Sequence, residues 1–172
     1  MNIGEKLLDF ELSDIKGQNV STKDMYRSFA LAIIFYSSNC AVCQAYAKRI
    51  EKLAVKFEND DLGLILVEGS PNSEFKIESQ FEELILLPNP GFKRLVDKGA
   101  TVAKQFGAKA LPEAFLFDRT RKLVYRGAID DNWKHADFVT RVYLEDAIDY
   151  TLDGMSTDFS QTEPVGTPID EV

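Results

Sequence analysis

Cysteine and histidine are scarce in this chain of 172 residues, which has two of the first and one of the second. A zinc site needs about four ligands, and His135 lies far along the chain from Cys40 and Cys43 with no second cysteine pair to help, so no metal centre and no cofactor are expected. Long apolar runs are missing too. Nothing approaches the roughly 18 residues of a membrane span, and Met1 to Phe10 lacks the basic and apolar blocks of a signal peptide. As it stands the sequence reads as cytoplasmic, or as periplasmic or otherwise extracytoplasmic if a leader has been removed. Basic clusters are absent as well. With Lys and Arg numbering 20 against 28 Asp and Glu, the formal charge of −8 argues against nucleic acid or an anionic membrane surface as partner. There are no internal repeats.

What remains is an ordinary soluble composition, 45% hydrophobic and 28% charged, with a length that suits one domain. The two cysteines are its sharpest feature. Cys40-Ala41-Val42-Cys43 follows Ala30 to Tyr36 (ALAIIFY), an apolar run rich in β-branched and aromatic side chains that predicts a buried strand. Ser37, Ser38 and Asn39 supply turn chemistry, and from Ala41 to Phe57 apolar residues recur at three- and four-residue steps. The CxxC therefore opens an amphipathic helix. The unpaired N–H groups and positive dipole end of such a helix favour a thiolate at Cys40, and the thiolate is the nucleophile in disulfide exchange. A structural disulfide here would close too small a loop to stabilise the fold much. Strand, turn and helix in this order imply a redox dithiol.

Elsewhere the pattern predicts an N-terminal hairpin over Gly4 to Asn19 around Leu8, Phe10 and Leu12, a helical turn at Ser21 to Arg27, and a buried strand at Leu62 to Val67. The unit around the CxxC helix is then βαβ with parallel strands. A helix is expected at Ser73 to Leu84, a strand at Phe92 to Val96, and a short helix at Ala100 to Phe106 stopped by Gly107. Ala114 to Phe117 and Lys122 to Arg126 read as an antiparallel hairpin, and Phe138 to Leu152 as a final amphipathic helix. Residues 1–153 make the domain. Residues 154–172, rich in Ser, Thr, Pro and acid, read as a flexible or surface-draped tail whose removal leaves activity intact.

This order of elements, with CxxC at the first helix and Pro112 just before a late strand, resembles the thioredoxin fold: an α/β domain with a central mixed sheet flanked by helices, here with an N-terminal extension and a helical insertion. The stretch YRGAIDDNW (125–133), followed by a helix carrying Val139-Thr140-Arg141, is similar to the peroxiredoxin-like, AhpC/TSA-type redoxins, a branch that includes thiol-disulfide oxidoreductases. The resemblance implies that Cys40 attacks, that Cys43 resolves, and that the Leu111–Pro112 bond is cis. It also implies that the backbone of Leu111 pairs with an extended substrate segment.

Departures from the family pattern accompany the likeness. Ile34 stands where thioredoxin has a buried aspartate, leaving Glu68, Glu113 and Tyr46 as candidates to relay a proton to Cys43. Ser37 and Thr167 stand where close relatives carry further cysteines. Asp130, Asp131, Asn132 and Trp133 admit two readings: caps of the last helix with Trp133 as a lid, or a rim in which Asn132 and Trp133 contact substrate.

Two function classes follow. One is an enzyme exchanging the Cys40/Cys43 dithiol with protein or small-molecule disulfides, with a thiol peroxidase using Cys40 as its alternative. Against the peroxidase, Ile33 occupies a proline's place and Pro112 lies near the place of a peroxide-polarising arginine. The other class is a non-enzymatic module, either a redox sensor or a copper site built from Cys40, Cys43 and His135.

Overall fold

A computed structural model describes residues 1–58, 61–70 and 91–171. The expected helix at Ser73 to Leu84, and with it the helical insertion, lies outside these residues. The described chain builds β1 (Glu11–Asp14), β2 (Asn19–Ser21), β3 (Ala30–Tyr36), α1 (Ala41–Lys56), β4 (Leu62–Ser70), β5 (Phe92–Lys98), α2 (Thr101–Phe106), β6 (Ala110–Leu111), β7 (Glu113–Phe117), β8 (Leu123–Gly127), α3 (Tyr143–Leu152) and β9 (Thr167–Pro168).

Seven strands form one mixed sheet in the order β2-β1-β5-β4-β3-β7-β8. β3 lies between β4, which runs parallel to it, and β7, which runs antiparallel. All seven of its residues are buried, as a strand covered on both faces requires. The βαβ unit and the β7–β8 hairpin stand where the apolar runs predict them.

On one face, Phe106 at the end of α2 meets Phe10, Phe35, Phe115 and Phe117 edge-on, with ring centroids 5.2–6.2 Å apart. Such T-shaped contacts add to the area each ring buries. On the other face, α3 packs over β3, β7 and β8 beside α1. The two helices are linked where Lys56 reaches Glu145 and Asp149.

Three expectations change. The N-terminal hairpin is shorter than its pattern, because Leu7 and Phe10 turn inward while Leu8 stays exposed. The last helix starts at Tyr143 rather than Phe138, since Asp131 accepts hydrogen bonds from the backbone N–H and hydroxyl of Thr140 and holds 139–142 in a loop. The tail is not loose. Ser160 and Thr162 bond to the backbone of Arg126, β9 pairs with β6, and Ile169 is buried, none of which composition reveals. Gly127 permits the crossing: its φ is +135°, and a Cβ there would lie 2.2 Å from the Thr162 carbonyl oxygen.

Because Phe106 joins four rings, Phe106→Ala is expected to cost about 3–5 kcal/mol. The measurement is a lower urea midpoint at unchanged m-value. Phe138→Ala, whose ring is 71% exposed, should change stability by less than about 0.5 kcal/mol.

Candidate active site

Cys40 is the N-cap of α1. Its backbone is extended (φ −91°, ψ 119°), and its sulfur accepts a hydrogen bond from the Cys43 N–H at 3.3 Å. This is the part an N-cap oxygen usually plays: satisfying one of the helix's orphan donors. The β3–α1 turn supports the arrangement. Ser37 N–H donates to Cys43 Sγ at 3.4 Å, and Asn39 N–H donates to Ser37 Oγ at 3.2 Å. Both cysteines are free thiols and both are buried.

Their environments drive the two thiols apart. Cys40 is lowered from 9.0 to about 5, first by the hydrogen bond with the Cys43 side chain and then by the Thr167 hydroxyl and the N–H groups of Cys43 and Thr167, all against the opposing cost of burial. Cys43 is pushed well above the usual thiol range, by burial first and next by its neighbour's sulfur. One sulfur is therefore poised as thiolate and the other held as thiol.

The peptide between Leu111 and Pro112 is cis, and its loop faces the dithiol. The Leu111 carbonyl lies 3.2 Å from Cys40 Sγ and accepts from the thiol form. Behind the loop, Glu113 makes an ion pair with Arg126 and accepts from the Lys109 N–H. Arg126 also donates to the Met1 and Gly107 carbonyls. These bonds fix both ends of the 107–113 segment.

Ile34 is wholly buried and apolar; of the candidate proton relays, Glu113 is committed to Arg126 and Tyr46 donates to Asp130 at 2.9 Å. Burial beside Asp130 raises Tyr46 above the usual phenol range. Glu68 is also paired, with Arg94 at 3.7 Å, but it bonds to the turn that leads into the dithiol. It comes from β4 in register with Tyr36 and accepts from both the N–H and the hydroxyl of Ser38, at 2.8 and 2.9 Å. Its charge is among the causes that raise Cys43.

The IDDNW segment does not cap α3. Asp130 receives Tyr46 and Arg49, Arg49 also donates to the carbonyls of Asn132 and Trp133, and the Asn132 side chain accepts from the His135 N–H. The loop is tied to α1 at Tyr46 and Arg49, and among the described residues neither Asn132 nor Trp133 hydrogen-bonds to a sulfur. His135 is exposed and meets Phe138 edge-on. Among the described residues no three Cys, His, Asp or Glu side chains gather as a metal site, so the copper set of Cys40, Cys43 and His135 is not assembled.

Thr167 is the contact that sequence reasoning left out of the site. Its hydroxyl lies 3.3 Å from Cys40 Sγ. The only pointer was its place opposite a cysteine of close relatives, and the tail-like composition around it hid that contact.

Comparison with known proteins agrees with this geometry. Over 124 residues the chain is 22% identical to the thiol-disulfide oxidoreductase ResA of Bacillus thuringiensis subsp. konkukian, covering 72% of this chain and 68% of that one. The structure superposes on a hypothetical protein from Sinorhizobium meliloti 1021 with a TM-score of 0.84 and 28% identity, covering 98% and 94% of the two chains. It also superposes on the thioredoxin domain of a thiol-disulfide oxidoreductase from Bacteroides vulgatus, with a TM-score of 0.61 at 17% identity, over 73% of this chain and 88% of that one. The fold is thioredoxin-like. The model of the AhpC/TSA family matches residues 3–126, and the chain belongs to that family.

Proposed function

We propose that the protein is a thiol-disulfide oxidoreductase in which Cys40 attacks and Cys43 resolves. The observation that carries this reading is the placement of the two thiols: Cys40 Sγ caps α1 and accepts from the Cys43 N–H, while Cys43 is wholly buried behind it, an arrangement that lowers the first to about 5 and raises the second. The Cys40 thiolate attacks one sulfur of a substrate disulfide, forming a mixed disulfide and expelling the other sulfur as a thiolate, which takes a proton from solvent. Cys43 then loses its proton and attacks Cys40 Sγ. The second substrate thiolate leaves, the Cys40–Cys43 disulfide forms, and two electrons have passed to the substrate. Run backwards, the same steps oxidise a dithiol. Glu68, the carboxylate whose charge reaches Cys43, takes the proton in place of the acid that Ile34 lacks. Leu111 and Pro112 present the backbone edge against which an extended substrate segment lies. Asn132 and Trp133 belong to the loop on α1 and flank the same helix.

If this division of labour holds, Cys43→Ser will accumulate mixed disulfides with its partners and Cys40→Ser will trap none, as seen on non-reducing gels. Equal trapping by both variants overturns it. Hydrogen peroxide reduction by Cys43→Ser at the parent's rate favours a one-cysteine peroxidase instead.

The ionisation of Cys40 gives a second test. Its alkylation by iodoacetamide should be half-maximal near pH 5 and flat through neutrality, whereas an unperturbed thiol would still be gaining reactivity above pH 8. Since the folded-state value lies below the unfolded one, the stabilisation that the Cys40 thiolate gives the reduced protein is fully present above about pH 9 and is lost as pH falls through about 5. Urea midpoints of reduced parent and Cys40→Ser should therefore converge toward the acid end of that window.

A further inference from the structure

Cys40 is only 2% exposed, which is unexpected for a sulfur that must reach another molecule's disulfide. Its sulfur lies 3.2 Å from the Leu111 carbonyl and 3.3 Å from the hydroxyl of Thr167, which belongs to the chain's own C-terminal segment. The anchor of that segment is firm: Thr162 N–H donates to the Arg126 carbonyl, and the Thr162 hydroxyl accepts from the Ala128 N–H and meets the Tyr125 hydroxyl at 2.8 Å. Beyond it the chain crosses at Glu163, Pro164 and Val165 to β9. There Leu111 pairs antiparallel with Thr167 and Ala110 with Pro168, and Ile169 N–H donates to the Lys109 carbonyl. At Gly166 the backbones come so close that a Cβ would lie 2.0 Å from the Leu111 carbonyl oxygen.

The backbone edge at Leu111 is therefore already occupied, by a strand that sets a side chain on Cys40. A substrate polypeptide pairing with that edge needs the same space. Past the anchor the segment is lightly held. Ile169 is the one buried residue in 163–171, and the ion pairs Lys109–Glu163 and Lys104–Asp170 join exposed side chains that water and salt screen.

Resting on the oxidoreductase reading, we propose that residues 163–171 are a displaceable strap that determines substrate class. Seated on β6, it denies an extended polypeptide the Leu111 edge, whereas a small disulfide needs no such pairing and requires only that the Thr167 side chain swing off Cys40 Sγ. An extended polypeptide segment gains the sulfur only by replacing β9, so the reactivity of the protein toward macromolecules is set by the fraction of molecules whose strap is unseated. The exchange chemistry is unchanged in either state.

The test uses full-length Ile169→Asp, which removes the buried anchor of the strap, and Gly166→Ala, which forces it off the Leu111 carbonyl. Pre-reduced parent and variants are assayed against insulin, a protein disulfide, and cystamine, a small one. The readout is the ratio of the two rates, which cancels loss of folded protein and any change in Cys40 ionisation when Thr167 moves away. A parent with about a tenth of its straps unseated should gain roughly tenfold in the insulin-to-cystamine ratio in both variants. A ratio unchanged or lowered in both, with cystamine still reduced by the parent, overturns the strap and leaves the oxidoreductase standing. Failure of the parent to reduce either disulfide, with both thiols persisting under oxidant, overturns the oxidoreductase and the strap together.

Discussion

The hydrogen bond from the Cys43 N–H to Cys40 Sγ sits where three requirements meet. It ends α1 by satisfying a donor that has no partner within the helix. It places negative charge at the positive end of the helix dipole. It also sets the spacing of the two sulfurs, since the donor belongs to the residue that carries the second one. Moving the cysteines off the helix start would lose the cap, the thiolate and the resolving geometry together. The turn before it, held by Ser37, Ser38 and Glu68, exists to deliver the chain to that point from the end of β3.

Burial sorts the pair. Cys40 lies at the helix mouth among donors and Cys43 one turn deeper among apolar groups, so desolvation, which opposes charge at both, is outweighed only at the first. The loop with the cis peptide closes the other side, and its two ends are tied down by Arg126 and Glu113, a buried pair whose remaining hydrogen bonds are well filled. Breaking one partner of such a pair leaves a charge without compensation, commonly a larger loss than the pair itself contributes.

Much of this could be read from the residues. β3, α1, β4 and the β7–β8 hairpin follow from apolar periodicity because each meets the core through a regular face. The CxxC at a helix start follows from Ser37, Ser38 and Asn39 preceding a three-four repeat. What escaped is what depends on partners distant in sequence. Phe138 fits a helical stripe, yet Asp131 holds Thr140 and delays the helix by five residues. Asp130 looks like a cap, yet Arg49 and Tyr46 claim it from α1. Thr167 lies in a stretch with few large apolar residues, and its place beside Cys40 comes from main-chain pairing, which composition does not record.

Glu68 reaches the turn ahead of the dithiol only because β4 runs parallel to β3 with Tyr36 opposite it. Side chains alternate faces along a strand, so a slip of one residue in that pairing would turn the carboxylate to the other side of the sheet. Where thioredoxin carries its acid on the same strand that leads to the cysteines, this chain has an apolar residue and borrows the charge from next door. The charge that helps to raise Cys43 is thereby a property of strand alignment, carried to the dithiol turn by the β3–β4 register and not by the strand that leads to the cysteines.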